Sequence, residues 1–199
     1  MTCIVGLLHN KTIYIGGDSA GSNSSDLRVR KDTKVFENGP FLMGFTTSFR
    51  MGQLLHWSFK PPSHPNWLSD EAFMNTLFVD AVRSCLKTGG FAKKVEDSEE
   101  GGTFIIGYRQ QLYVMQADYQ IGQYYDNFMA VGSGESAAMG CLFGTAGMKD
   151  PKKRCLLALQ AAERLTPSVR GPFTILSPNW IDRDWGQGQW TQSTPTPQA

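Results

Sequence analysis

The sequence lacks any run approaching the roughly 20 apolar residues needed to span a bilayer. Its opening, MTCIVGLLHNK, also lacks a basic segment before the first apolar run, and Asn10 and Lys11 cut that run short. Neither a membrane span nor a signal peptide is therefore expected. Charge of one sign is missing too. Nineteen basic side chains face eighteen acidic ones, for a formal net charge of +1. Such a balance gives no field to attract nucleic acid or an anionic membrane, and excludes both as expected partners. The four cysteines, Cys3, Cys85, Cys141 and Cys155, form no C-x-x-C pair and no metal-like grouping with His9, His56 and His64. No metal and no cofactor are expected. An even count permits disulfides, but 199 residues can bury a core without them, so reduced thiols in a cytoplasmic setting are the expectation.

What is present is a punctuated series of short apolar segments. Residues 3–8 and 12–17 read as a hairpin around His9-Asn10-Lys11. Gly16-Gly17-Asp18 ends the second strand, and Ser19 to Asp26 is loop-like. A third strand covers Thr33 to Glu37, Asn38-Gly39 is a turn, and Pro40 to Phe45 is a fourth strand. Thr46-Thr47-Ser48 then offers helix caps, with Met51, Leu54, Leu55 and Phe59 on one face until Pro61-Pro62. A longer helix starts near Leu68-Ser69-Asp70-Glu71, with Phe73, Leu77, Ala81 and Cys85 as its apolar stripe, and ends at Gly89-Gly90. Residues 92–101 form an acidic surface loop, where Lys93 and Lys94 are answered by Glu96, Asp97, Glu99 and Glu100.

Strands follow over 102–108 and 111–117, and another ends at Ala130-Val131. Gly132-Ser133-Gly134 makes a sharp turn into helices near 135–145 and 151–164, and Phe173 to Leu176 forms a late strand. This order indicates an α+β domain over residues 1–178. Residues 179–199 form a polar tail with Trp180, Trp185 and Trp190, which either pack back on the domain or seal a subunit contact. The extreme end has a disorder-like composition.

Thr2 is the residue with chemical consequences. Removal of Met1 would give it both a hydroxyl and a free α-amine, whose reference pKa of about 7.7–8.0 suits a base near neutrality. Asp18, just past the second strand, and Lys34, opening the third, can be brought to the same sheet edge by antiparallel pairing. A lysine beside Thr2 would favour the alkoxide and lower the amine pKa, with Asp18 fixing that lysine. The spacing equally allows Asp18 to be a turn residue and Lys34 one of several exposed bases with Arg28, Arg30 and Lys31.

Thr2-Cys3-Ile4-Val5-Gly6 and Ile15-Gly16-Gly17-Asp18-Ser19-Ala20 resemble the opening of proteasome β subunits and HslV, peptidases of the N-terminal nucleophile (Ntn) hydrolase superfamily. Lys34-Val35, Met43-Gly44-Phe45-Thr46-Thr47-Ser48 and Ala130-Val131-Gly132-Ser133-Gly134 extend the resemblance in register over about residues 2–177. It implies a four-layer α-β-β-α sandwich of two antiparallel sheets. It implies Thr2 as nucleophile, Asp18 and Lys34 as its electrostatic partners, and Ser133 and Ser168 around the amine. A backbone N–H at Thr47, where the family more often has glycine, would face the oxyanion. The implied substrate pocket is lined by Ala20, Ser22, Lys31, Phe45, Phe49 and Gln53, with Phe45 and Phe49 alternatively core.

Two departures stand out: Leu165 or Thr166 occupies the place of a further family aspartate, and Cys3 adjoins the nucleophile. Cys3 reads as a small buried residue. The resemblance also implies a homo-oligomer, as a ring or an open helical assembly, acting on unfolded polypeptide delivered by an ATP-dependent unfoldase. Thr2 without a longer propeptide fits a bacterial or phage member. The competing expectations are a non-catalytic scaffold subunit that keeps the fold and an amidase of the wider superfamily acting on small amides.

Overall fold

The computed structural model describes residues 2–22, 26–95 and 98–178. The opening hairpin forms as its sequence predicts. β1 (Cys3–His9) pairs antiparallel with β2 (Thr12–Gly17), and Ile4 lies opposite Gly17. Asn10 and Lys11 turn the chain at φ of 48° and 63°, the left-handed pair whose twist suits a two-residue hairpin. The stretch Ser19 to Asp26, predicted as loop, holds β3 (Ala20–Ser22), a correction, and β3 pairs with β4 (Leu27–Val29) just beyond it. β5 (Val35–Asn38) and β6 (Phe41–Phe45) make the next hairpin, with Gly39 at φ 57° in its turn.

Ser48 caps α1 (Phe49–Gln53), accepting the Arg50 N–H at 3.1 Å, and α1 runs into a π-helical turn at Leu54–Ser58. The predicted face of Met51, Leu54, Leu55 and Phe59 is buried. Ser69 caps α2 (Asp70–Phe73), which continues through a second π-helical turn, Met74–Phe78, into α3 (Val79–Thr88). Here the predicted stripe is corrected. The buried residues are Phe73, Met74, Phe78, Val82 and Leu86, while Leu77 is 39% exposed and Ala81 and Cys85 are only partly buried. A π turn inserts one extra residue into the helical repeat, so a stripe counted in fours from Phe73 drifts off the core face after it.

Residues read as an acidic loop contain a second correction, a small antiparallel pair of β7 (Lys93–Val95) and β8 (Ser98–Glu100). The chain then forms β9 (Phe104–Tyr108), β10 (Gln111–Met115), the short β11 (Ile121–Gly122) and β12 (Phe128–Gly132). α4 (Glu135–Gly144), α5 (Pro151–Leu165) and β13 (Thr174–Leu176) complete it. Asp150 caps α5 through the Lys153 N–H at 3.0 Å, one residue before Pro151.

Two sheets result, ordered β12-β1-β2-β13 and β11-β10-β9-β6-β5, with every pairing antiparallel. Strand alternation splits their side chains between layers. Ile4 joins Ile15, Val35, Leu42, Ile105 and Met129 between the sheets, while Cys3, Val5 and Leu7 pack with Ala138, Leu142, Leu159 and Ala162 of α4 and α5. Phe41, Met43, Phe104 and Ile106 meet the residues of α1 to α3 on the far side. The architecture is thus the four-layer α-β-β-α sandwich. Gly44 permits the close sheet contact, since a Cβ there would lie 2.6 Å from Ile4 Cγ2 and 2.8 Å from Ile15 Cγ2. Among the described residues no helix is long and apolar enough to cross a membrane. The tail with Trp180, Trp185 and Trp190 lies outside the described residues.

Candidate active site

Hairpin pairing assembles the polar end of the sandwich. Thr2 immediately precedes β1 and Asp18 immediately follows β2, so the Ile4–Gly17 rung sets them side by side. The Asp18 N–H donates to Cys3 O at 3.2 Å, and the Cys3 N–H returns a bond to Asp18 Oδ1 at 3.0 Å. Lys34 enters from the other sheet. Its carbonyl accepts the Phe45 N–H at 3.0 Å, adding a rung to the β5–β6 hairpin and fixing the backbone that carries its side chain. Lys34 Nζ donates to Asp18 Oδ1 at 2.7 Å and to Thr2 Oγ1 at 2.5 Å.

All three side chains are buried, Lys34 to 1% exposure. A buried carboxylate requires donors. Besides the Cys3 amide and Lys34, Asp18 takes the Ala20 N–H at 3.0 Å and the Arg170 N–H at 3.3 Å, both on Oδ2. Burial pulls the Lys34 ammonium below the ordinary lysine range, and the charge and hydrogen bond of Asp18 oppose that shift without cancelling it. Lys34 is thus a cation more ready than usual to give up a proton, held against a hydroxyl. Cys3 takes no comparable part, since burial pushes its thiol up to about 12.

The glycine-flanked turn supplies the other side. Cys3 pairs with Gly132, so Ser133 arrives beside Thr2. Ser133 Oγ accepts the Thr2 N–H at 3.1 Å, lies 3.2 Å from Thr2 O as a donor, and is 3.0 Å from Ser168 Oγ. Its single proton serves one of the last two acceptors, so the Ser168 hydroxyl can supply the other bond. Gly132 is required at φ 101°, where a Cβ would sit 2.3 Å from Thr2 O. Leu165, at 72% exposure, points to solvent, and Thr166 is half-buried at the end of α5. Among the described residues no carboxylate bonds to the Ser133–Ser168 pair.

Thr47 has φ 62°. A β-branched residue in this left-handed region is an outlier that costs on the order of 1–3 kcal/mol unless its surroundings hold it. Glycine would adopt that conformation without the strain. The pocket residues scatter. Ala20 is buried against Asp18 through its amide, Ser22 is half-buried, and Lys31 and Gln53 lie on the surface. Phe45 belongs to the helix-side core, packed edge-on against Phe49 at 5.6 Å. The half-buried Phe49 ring does reach the site, with Lys34 Nζ 5.6 Å from its centroid and the Arg30 guanidinium carbon at 3.9 Å.

Sequence reasoning missed Arg30 and Asp32, which form a two-pronged ion pair with bonds of 2.6 and 2.7 Å over that ring. Their i, i+2 spacing around the chosen Lys31 was the available signal. It also missed the backbone donors of Ala20 and Arg170, which carry no residue-type signal. Among the described residues no group of three or more His, Cys, Asp or Glu side chains is placed to hold a metal ion.

Two antiparallel sheets between helical layers make an Ntn-hydrolase-like α-β-β-α fold, and Thr2, Asp18 and Lys34 converge at the head of its first strand. No family model and no curated protein matches the sequence. Solved structures match in fold. BPH of Thiobacillus denitrificans aligns with a TM-score of 0.73 at 17% identity, covering 88% of this chain and 96% of that one. Its complex with epoxomicin aligns equally, at 0.73 and 16% identity, over 88% and 97%. HslV of Trypanosoma brucei gives 0.60 at 12% identity over 88% and 98%. The helical assembly of Anbu from Pseudomonas aeruginosa gives 0.61 at 14% identity over 88% and 80%. At these identities the likeness establishes the fold.

Proposed function

We propose that the chain is a threonine-type peptidase in which Thr2, freed by removal of Met1, is the nucleophile. The observation carrying this reading is the 2.5 Å contact of Lys34 Nζ with Thr2 Oγ1 while Asp18 holds the same ammonium at 2.7 Å. The Thr2 α-amine takes the hydroxyl proton, and Oγ1 attacks the peptide carbonyl carbon. The oxyanion of the tetrahedral intermediate meets the Thr47 backbone N–H. Collapse breaks the C–N bond, and the protonated amine gives its proton to the leaving amine. Water, deprotonated by the same amine, then cleaves the acyl ester and restores Thr2. Lys34 stabilises the developing alkoxide and Asp18 keeps it in place, while Ser133 and Ser168 orient the amine. Phe49 adjoins the substrate side, with Ser22, Lys31 and Gln53 nearer the surface and Ala20 and Phe45 buried behind it.

The assembly proposed is a cytoplasmic homo-oligomer, a ring or an open helix, acting on unfolded polypeptide supplied by an ATP-dependent unfoldase. Anbu of Pseudomonas aeruginosa, similar in fold, is solved as a helical assembly. BPH of Thiobacillus denitrificans is solved with epoxomicin, and that chemistry supplies the test. Intact mass of the assembled protein, with and without a peptide epoxyketone, should show loss of Met1 and one adduct mapped to Thr2. Thr2→Ala should show none. A second reading, a non-catalytic scaffold subunit, is favoured by Leu165 or Thr166, neither of them a carboxylate, taking the place expected for an amine-supporting aspartate. Retention of Met1, or an exposed Thr2 that never reacts, would favour that reading.

A further inference from the structure

The hydroxyl of Thr47 closes a ring of hydrogen bonds. The Thr103 N–H donates to Thr47 Oγ1 at 3.2 Å, the Thr47 and Thr46 hydroxyl oxygens are 3.1 Å apart, and Thr46 Oγ1 donates to Thr103 O at 3.1 Å. Because the Thr46 proton is committed to that carbonyl, the Thr47 hydroxyl is the donor between the two. The cycle leaves Thr103 by its N–H, crosses both threonines and returns to Thr103 by its carbonyl. Each bond polarises the next in the same sense. The Thr46 N–H adds a further bond to Thr103 O at 3.0 Å.

This cycle is fastened to the sheet. Thr103 leads directly into β9, whose Phe104 pairs with Phe45 in the rung beside Thr46. Gly102 leaves room for the arrangement, since a Cβ there would lie 3.2 Å from Thr47 Cβ and 2.4 Å from Met51 Sδ. On the other side, Thr46 Cγ2 lies 3.3 Å from where a Gly132 Cβ would be, the same point that is 2.3 Å from Thr2 O. The junction is thus held between Thr103 and the turn that seats the nucleophile. A glycine would adopt the left-handed φ without help but would keep its alternatives open. Threonine is strained there, and its hydroxyl ties the strained form to a strand.

We propose that Thr47 is a positioning residue whose hydroxyl, by closing this cycle onto Thr103, holds the left-handed peptide with its N–H directed at the oxyanion formed on Thr2 attack. The proposal rests on the reading of Thr2 as nucleophile. The side chain touches no reacting atom. Its contribution is to remove the motion of a donor that must be in place before charge develops.

The test measures epoxyketone labelling of Thr2 and kcat and KM for a peptide amide, on the assembled full-length protein. Thr47→Val keeps the shape and removes the hydroxyl. It should slow labelling and kcat by roughly tenfold to a hundredfold with KM little changed. Thr47→Ser should recover most of the rate, and Thr46→Val, which cuts the middle link, should fall with Thr47→Val. Thr47→Gly removes strain and hydroxyl together, so it should fold at least as well as the wild type and still turn over several-fold more slowly. Hydrogen exchange at the Thr103 amide should speed up in Thr47→Val and not in Thr47→Ser. The proposal is overturned if Thr47→Val or Thr47→Gly matches the wild type, if Thr47→Ser fails alongside Thr47→Val, or if KM moves in place of kcat. A wild type that never labels overturns the nucleophile reading and this proposal together. A labelling wild type beside an equally fast Thr47→Val overturns this proposal alone.

Discussion

Lys34 and Arg154 are both buried cations, one at each side of the first sheet, and they differ in what their donors reach. Lys34 lies in the polar site, bonded to a carboxylate and to the Thr2 hydroxyl. Arg154, 5% exposed on α5, reaches the end of α4: its Nη2 donates to Leu142 O at 2.6 Å and its Nε to Thr145 Oγ1 at 3.4 Å, with Cζ 5.3 Å from the Phe128 ring centre. There the last carbonyls of a helix lack intrahelical donors, and a cation also complements the negative end of its dipole. Burial of a charge therefore does not by itself mark chemistry. The guanidinium directs its fork at groups of the chain's own fold, whereas the ammonium is a point charge whose burial makes it titrate more readily. It is also aimed at the Thr2 hydroxyl.

Substitutions at the two cations test this contrast. The largest effect is expected for Lys34→Met. It should lower kcat/KM by roughly a thousandfold, within the range of a removed acid–base or electrostatic group, while Thr2 remains present by mass. Arg154→Met should do the reverse. Leaving the Leu142 carbonyl without its charged donor should cost about 2–3 kcal/mol of stability in a denaturant titration, with Thr2 labelling unchanged below the unfolding transition. Comparable loss of labelling in Arg154→Met would erase the distinction.

A smaller effect follows from pH. The folded Lys34 pKa is depressed from 10.5, chiefly by burial, so the folded state binds fewer protons than the unfolded state between the two values. The stability of the wild type relative to Lys34→Met should rise with pH through that window and level off above about 10.5. Lowering the pH through the folded value should remove the gain. Melting temperatures of the pair across alkaline pH would show this, and a flat or falling difference would mean that the attraction of Asp18 outweighs burial. The smallest effect is reserved for an exposed set. Glu99 holds Arg83 Nε at 2.6 Å and Lys87 Nζ at 3.0 Å. Glu99→Gln should alter neither melting temperature nor labelling measurably, because exposed ion pairs are screened and ordered at an entropic cost.

The polar site was legible because hairpins are local. β1 and β2 are joined by a two-residue turn, so strand spacing allowed Asp18 to fall beside Thr2, although it equally allowed a plain turn aspartate and the family resemblance made the choice. The long helix was less legible. Phe73, Leu77, Ala81 and Cys85 match a four-residue repeat, but the π turn at Met74–Phe78 shifts the buried face to Phe78, Val82 and Leu86. Choosing a five-residue turn depends on what the helix packs against, and no repeat in the sequence announces it. The pocket residues were least legible: Phe45 and Phe49 are four apart, yet one is core and the other lies against Lys34.

Taken alone, the sequence determined the principal strands and helices and the turn chemistry at Gly132-Ser133-Gly134, because these rest on residue type and near-neighbour geometry, while the choice of Thr2 with Asp18 and Lys34 came from the family resemblance. Tertiary structure alone decided that Asp18 collects amides from Cys3, Ala20 and Arg170, that Ser168 meets Ser133, and that Thr103 returns across the chain to hold Thr46 and Thr47. Backbone amides are the same at every residue except proline, so their placement is invisible until distant segments meet.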